Sequence, residues 1–230
     1  MKIYRYLDRG TVRESSTPPE GAVLLPPCTP TKIVCIGRNY AEHAKELGND
    51  APSEPIIFLK PPSALLAANG TIVRPAISQR VDHEGELAIV IGQRASRVAA
   101  VNWRDYIRGF ACANDVTARD IQRKDVQFTR GKGFDTFAPI GPCIETELDP
   151  SELAIRTLVN GNIKQDGNTR DMVFKCDFLV EFITAVMTLE PGDVILTGTP
   201  AGVGPLESGD RVEVEIEGIG VLRNDVSSSS

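Results

Sequence analysis

The sequence predicts an α+β fold dominated by strands around one mixed core. Short apolar runs recur along the chain, each bounded by Gly or Pro, the pattern of buried strands. They do not alternate with regular helices, so a doubly wound parallel sheet is not expected. The length of 230 residues suits one sizeable domain with at most a small appendage.

The elements follow in order. Residues 2–6 read as a short strand, followed by a Ser-, Thr- and Pro-rich loop that ends at Pro26, Pro27 and Pro30. Residues 1–30 are therefore expected to form a small N-terminal appendage, and residues 31–226 the main domain. KIVCIG at 32–37 reads as a buried strand. Residues 39–47 carry helix signals: Asn39 to cap, Tyr40, Ala44 and Leu47 as an apolar stripe, Gly48 to stop. Further strands are expected at 55–59, at 86–92 in a run that begins near Asp82, at 109–115 and at 193–197. Residues 156–160 and 163–165 flank Gly161 as a hairpin, and 211–216 pairs with 220–223 as another. Residues 103–108 and 173–188 read as helical, the latter through Phe174, Phe178, Phe182, Ala185 and Met187, and 117–123 reads as a short helix or turn. No repeat of fixed period is present. Residues 227–230, all serine, are expected to be a disordered tail.

Composition narrows the function. A net charge of -6 and a pI near 5.1 make a poor partner for phosphate backbones, so nucleic acid is not the expected ligand. A small anion remains compatible, because a local cluster of Arg and Lys can outweigh the global sign. The five cysteines have neither a CxxC spacing nor an even count, so they read as reduced core or loop fillers. The first nine residues lack an apolar leader segment, and no apolar run approaches the roughly 20 residues of a membrane span. A cytoplasmic protein with no membrane partner is expected.

The sharpest local signal is Asp82-His83-Glu84-Gly85-Glu86. Residues two apart in a strand share a face, so Glu84 and Glu86 project together at the mouth of the buried run LAIVIG. Two such carboxylates repel unless a cation lies between them, and oxygen-only ligands suit a hard ion such as Mg²⁺, Mn²⁺ or Ca²⁺. A lone ExE also fits a solvated strand face. Asp115, after the apolar stretch GFACAN, strengthens the metal reading by adding a third acid at the end of a neighbouring strand; alone it also fits a turn cap. His43 and Glu46 stand three apart in a short helix, within contact range. A carboxylate beside an imidazole suits a general base, and the segment lies where a lid could move. An incidental surface pair has the same spacing. Arg38, Arg119 and Lys132 are cations available to a carboxylate, and the loop Gly198-Thr199-Pro200 offers N–H groups and a hydroxyl. His83 points away from Glu84 by strand alternation and reads as a packing residue.

Taken together, GRNYAEHAKE (37–46), PIIFLKPPSAL (55–65), DHEGELAIVIG (82–92), ANDVTARDIQ (113–122), RGKGFDTFAPIGP (130–142) and LTGTPAGVGPLESGD (196–210) resemble the fumarylacetoacetate hydrolase superfamily. The resemblance implies a mixed β-roll, or β-sandwich-like barrel, of that family's C-terminal-domain type, usually assembled as a homodimer. It places the metal carboxylates on Glu84, Glu86 and Asp115 and the lid dyad on His43 and Glu46. It puts the catalytic-site lysine on Lys132, and substrate contacts on Arg38, Asn39, Arg119, Gln122 and Thr199. Mg²⁺ or Mn²⁺ is the usual metal, with Ca²⁺ as its substitute in crystals. The implied substrate is a small 2-oxo or 2,4-dioxo carboxylate: an acylpyruvate, fumarylpyruvate or oxaloacetate type.

The leading expectation is a hydrolase or decarboxylase that cleaves a C–C bond through a metal-stabilised enolate. In a hydrolase, His43 held by Glu46 deprotonates the attacking water. The first alternative is an isomerase or tautomerase of 2-hydroxyhepta-2,4-diene-1,7-dioate-like acids, which shares the enolate but only moves a proton. The second is a non-catalytic metal-binding module.

Overall fold

The computed structural model describes residues 1–46, 48, 50 and 52–229. Its centre is built on the most apolar run of the chain. Gly85–Ile91 is buried at every position and pairs antiparallel with Ile107–Asn114 on one side and Val194–Leu196 on the other. Leu87, Ile89 and Ile91 face one core cluster, whereas Ala88 and Val90 face a second. Both faces are covered, which is why the run is continuously apolar rather than alternating. Among the described residues this is a ten-stranded sheet. Beyond Val194–Leu196 it continues through a parallel pairing to Ile33–Gly37, and then to Ile56–Lys60.

A second, five-stranded sheet contains Ala154–Val159, Asn162–Asn168, Arg211–Ile216, Gly220–Ser228 and Thr71–Arg74. Here alternation is clear: Val212, Val214 and Ile216 are buried while Arg211 and Glu215 are exposed. Its inner residues Ile155, Val214 and Leu222 pack into the same cluster as Leu87 and Ile89. Three short strands, Val81–His83, Thr117–Ala118 and Gly204–Pro205, form a third sheet beside them. Helices α1 (Ala41–Glu46), α2 (Arg119–Lys124), α3 (Thr129–Lys132) and α4 (Cys176–Val186) complete the framework. The strand-dominated α+β reading holds. All five cysteines are free and buried, and no helix of the described residues is long and apolar enough to cross a membrane.

Several elements differ from expectation. The tail does not begin at 227: Ser227 and Ser228 extend the last strand, paired in parallel with Val73 and Arg74. Ser229 donates its N–H to the Arg74 carbonyl, whereas Ser230 lies outside the described residues. The N-terminal Lys2–Asp8 is a strand joined to the main sheet, with Lys2 opposite Glu145 and Ile3 opposite Ile144. The expected helix at 103–108 is a 3-10 helix over Ala100–Tyr106, and Ile107 already belongs to a central strand. In α4 the buried residues are Cys176, Leu179, Val180, Ile183 and Thr184, not the aromatic stripe. Phe174, Phe178 and Phe182 instead contact one another along the half-exposed edge, with centroids 5.7 and 5.9 Å apart, as neighbours at i, i+4 can. Leu47 of the expected helical stripe lies outside the described residues.

Candidate active site

The three acids come together through sheet register. Ala113 pairs with Glu86 and Asn114 with Gly85, which carries Asp115 to the side of Glu84. Two hydrogen bonds lock the junction: Glu84 N–H donates to Asn114 Oδ1 at 2.9 Å, and Asp115 N–H donates to the Glu84 carbonyl at 2.8 Å. Glu84 and Glu86 do not share one continuous strand, as the DHEGE pattern suggests. Val81–His83 pairs with the small sheet, Gly85 begins the central strand, and Glu84 lies between the two. Gly85 is required here, since a Cβ would lie 2.1 Å from Thr157 Oγ1 of the five-stranded sheet. One oxygen from each of Glu84, Glu86 and Asp115 lies within 4.8 Å of the others, and all three residues are buried.

Buried cations surround two of these acids. Lys132 Nζ contacts Glu84 Oε2 at 2.7 Å and Asp115 Oδ2 at 2.5 Å. Lys60 Nζ contacts Asp115 Oδ1 at 2.5 Å and donates to the Val116 carbonyl at 3.0 Å. Arg119 bridges Glu84 Oε1 at 2.5 Å and Asp82 Oδ2 at 3.0 Å, and Asp82 has a half-exposed second partner in Arg80. Burial alone would raise the Glu84 carboxyl, but Lys132 and Arg119 outweigh it and hold the group well below the usual carboxylate range. Burial likewise disfavours the Lys132 ammonium, yet Asp115 and Glu84 raise it above the usual lysine value. At Lys60 burial wins over Asp115, and its value falls.

Glu86 is different. The one hydrogen bond it accepts among the described residues comes from the Gly198 N–H, at 2.7 Å. Burial pushes its carboxyl far above the usual range, and repulsion from Asp115 and Glu84 adds to the shift. An acidic, oxygen-only, buried cup with one under-compensated carboxylate fits a hard divalent cation.

The rest of the site is built around the 198–204 loop. That loop is expected to offer its N–H groups to an anion, but Gly198 gives its N–H to Glu86. Gly198 has φ +98°, and a Cβ there would meet Asn39 Cβ at 2.7 Å, so only glycine fits. Thr199 Oγ1 donates to the Gly85 carbonyl at 2.8 Å and accepts from Gln165 Nε2 at 2.7 Å. Gln165 Oε1 accepts from Gly85 N–H at 2.9 Å and faces His83 Nδ1 at 3.3 Å. His83 is thus a buried packing residue whose burial lowers its pKa.

In α1, His43 is buried and its Nδ1 lies 3.2 Å from Glu46 Oε2. Both Glu46 oxygens lie 3.2 Å from the Gly202 N–H, which ties α1 to the loop. Asn39, expected as a substrate contact, is not among the residues that line the cavity, and its side chain is held by backbone groups. Its Nδ2 donates to the Thr197 and Phe174 carbonyls at 2.7 and 3.0 Å, and its Oδ1 accepts from Phe174 N–H at 2.7 Å. It fixes the start of α1 against the 172–174 and 197–198 segments instead.

The cavity has a volume of about 210 Å³, below the ~300–1,000 Å³ of sites for drug-sized ligands. Arg38, His43, Glu84, Glu86, Asp115, Arg119, Gln122, Lys132 and Thr199, all anticipated from sequence, line it. Glu46 stands behind His43. Sequence reasoning missed Lys60, Asp82, Gln165 and Arg123. Lys60 had a signal, a lysine ending an apolar strand just before two prolines; Gln165 had none beyond its place in a hairpin.

Comparison with known proteins agrees with this geometry. The Fumarylacetoacetate (FAA) hydrolase C-terminal family matches residues 32–227. The chain belongs to the fumarylacetoacetate hydrolase family. Oxaloacetate tautomerase FAHD1 of Arabidopsis thaliana, a mitochondrial relative, is 48% identical over 202 residues, covering 85% of this chain and 91% of its own. The structure of a 5-carboxymethyl-2-hydroxymuconate delta-isomerase from Mycobacterium smegmatis matches with a TM-score of 0.94 at 42% identity, over 100% of both chains. A maleylpyruvate hydrolase from Sphingobium sp. SYK-6, solved with manganese(II) and pyruvate, matches with a TM-score of 0.80 at 36% identity, over 95% of this chain and 78% of its own. Fumarylacetoacetate hydrolase family members are thus enzymes of more than one reaction type, and the strand-dominated architecture seen here is the family's.

Proposed function

We propose that this protein is a divalent-metal-dependent enzyme that moves a proton on a small 2-oxo carboxylate through its enolate, as a tautomerase or isomerase. The observation that carries this reading is the buried His43 on the wall of a carboxylate cup, with Nδ1 engaged by Glu46. No Ser or Cys lines the cavity among the described residues, and the Thr199 hydroxyl is hydrogen-bonded within the protein. The site is therefore furnished for acid–base work rather than covalent catalysis.

Mg²⁺ or Mn²⁺ held by Glu84, Glu86 and Asp115 would supply the positive charge that stabilises an enolate oxygen. Lys132 and Arg119 add fixed positive potential at the same end. Glu46 orients the imidazole so that Nε2 can carry a proton between the substrate carbon and its enol oxygen in a tautomerase, or from one carbon to another of the conjugated chain in an isomerase. Phe58, Phe128 and Ile36 form an apolar wall that limits water.

The sequence alone puts C–C cleavage first. The names of the relatives at 48% and 42% identity, a tautomerase and an isomerase, support proton transfer instead. Cleavage of an acylpyruvate, or decarboxylation of oxaloacetate, stays as the second reading. The His43–Glu46 pair also suits activation of water, and the maleylpyruvate hydrolase relative supports that use. The test is ketonisation of enol-oxaloacetate followed by ultraviolet absorbance, with Mn²⁺ or with chelator. Products from acetylpyruvate and fumarylpyruvate are weighed in parallel by mass spectrometry. Metal-dependent ketonisation at unchanged mass is expected. Pyruvate plus an acid would promote the hydrolase, and no metal-dependent turnover of any substrate would overturn the enzyme reading.

A further inference from the structure

Two peptide groups lie between Glu84 and Glu86, and side chains hold both. The Gly85 N–H donates to Gln165 Oε1 at 2.9 Å, and the Gly85 carbonyl accepts from Thr199 Oγ1 at 2.8 Å. Gln165 Nε2 donates to Thr199 Oγ1 at 2.7 Å and to the Pro200 carbonyl at 2.8 Å. The carboxamide cannot be turned over. A backbone N–H only donates and a carbonyl only accepts, so Gly85 fixes one end of it and Pro200 the other. Thr199 must then give its own hydrogen to Gly85. Gln165 thus reaches both peptides, one directly and one through Thr199. It is the one buried position of Asn162–Asn168, yet it is not among the residues that line the cavity. The 198–204 loop lies on that strand: at Gly202 a Cβ would fall 2.1 Å from the Lys164 carbonyl oxygen. The same loop gives the Gly198 N–H to Glu86 and the Gly202 N–H to Glu46.

We propose that Gln165 is a positioning residue for the carboxylate cup: from outside the cavity it sets the directions in which Glu84 and Glu86 project, and it holds down the loop that serves Glu86. This rests on the reading of Glu84, Glu86 and Asp115 as ligands of a divalent cation and deepens it. Glu84 belongs neither to the strand before it nor to the strand after it, so the torsions at Gly85 decide how the two carboxylates stand to each other. A carboxamide suits this place because one end accepts and the other donates. Methionine has a similar length but neither group. It would leave Gly85 free to turn and the loop free to lift. Loss of a partner that orients a metal ligand typically costs about 10–100-fold in metal affinity.

The experiment is calorimetric titration of the full-length protein with Mn²⁺, run well below the melting temperature of each variant. Gln165→Met should raise the Mn²⁺ Kd about 10–100-fold. A role confined to packing would lower the melting temperature and leave Kd where it is. Thr199→Val, which keeps the shape but loses the hydroxyl, should weaken Mn²⁺ as well, whereas Thr199→Ser, which keeps the hydroxyl, should bind as the wild type does. The double variant Gln165→Met with Thr199→Val should be weaker than the worse single variant by much less than the product of the two losses, because the two side chains act as one unit. If Gln165→Met does not fold, the contrast between Thr199→Val and Thr199→Ser decides. A wild-type Kd in Gln165→Met or in Thr199→Val, or losses that multiply in the double variant, would overturn the positioning role and leave the metal cup standing. If the wild type binds no Mn²⁺, the metal reading falls and the positioning role falls with it.

Discussion

Two buried carboxylates stand near opposite ends of the same pair of strands, and they are treated in opposite ways. Asp193 precedes Val194–Leu196, and Glu86 lies in Gly85–Ile91, its antiparallel neighbour. Asp193 accepts from Thr31 N–H at 2.7 Å, Thr31 Oγ1 at 2.8 Å, Lys32 N–H at 3.1 Å, Lys32 Nζ at 2.5 Å and Glu190 N–H at 2.8 Å. Burial opposes its charge, but these donors win and its pKa falls below the ordinary aspartate value. Glu86 has one N–H donor and two acids beside it, and its pKa rises. A charge that the fold fully compensates serves the fold. A charge that it leaves under-compensated marks where an outside cation belongs.

The largest effect should come from the under-compensated end. Mn²⁺ should raise the melting temperature of the wild type, and Glu86→Gln should abolish that rise and reduce turnover to background. The metal-free variant should melt at or above the metal-free wild type, because the substitution removes a buried charge that lacks compensation. Differential scanning fluorimetry with and without Mn²⁺ reads both effects. A variant that kept the Mn²⁺-dependent rise would remove Glu86 from the metal cup.

Next in size is the lid. His43→Ala should lower kcat by about 10²–10⁴-fold if His43 is the general base, with Mn²⁺ binding retained. An unchanged kcat with a raised KM would make it a substrate clamp. The lid differs from the floor in construction: the floor acids are fixed by long-range strand pairing, whereas α1 is a six-residue helix tied down at Glu46 by the Gly202 N–H. Here the sequence is an uneven guide. Glu84, Glu86 and Asp115 were legible because each adjoins an apolar run, and the run itself fixes depth. The His43–Glu46 pair was legible because a helical spacing of three is local. Lys60 was not, because its partner Asp115 is 55 residues away and only the sheet brings them together. The break at Glu84 was hidden as well, since DHEGE alternates like a single strand while its two halves pair with different sheets. The aromatic stripe of α4 misled for a related reason. Periodicity reports that a face exists but not which neighbour covers it, and Leu179, Val180 and Ile183 face the core instead.

The smallest effect belongs to the fully compensated end, and it should appear in stability rather than in chemistry. Asp193→Asn keeps the shape but removes the charge that five donors converge on, so it should cost about 1–3 kcal/mol of stability at neutral pH. The pH dependence follows from the lowered pKa. Because the folded value lies below the unfolded one, the carboxylate's contribution is complete above the unfolded value of about 3.9. It is lost as pH falls through the folded value, where the native state must take up the proton it had excluded. Urea denaturation at pH 7 should therefore separate wild type from variant, and the gap should narrow towards pH 3. A gap that stayed constant across that range would mean that the donors around Asp193 recognise its shape and not its charge. The contrast with Glu86 would then rest on the metal cup alone.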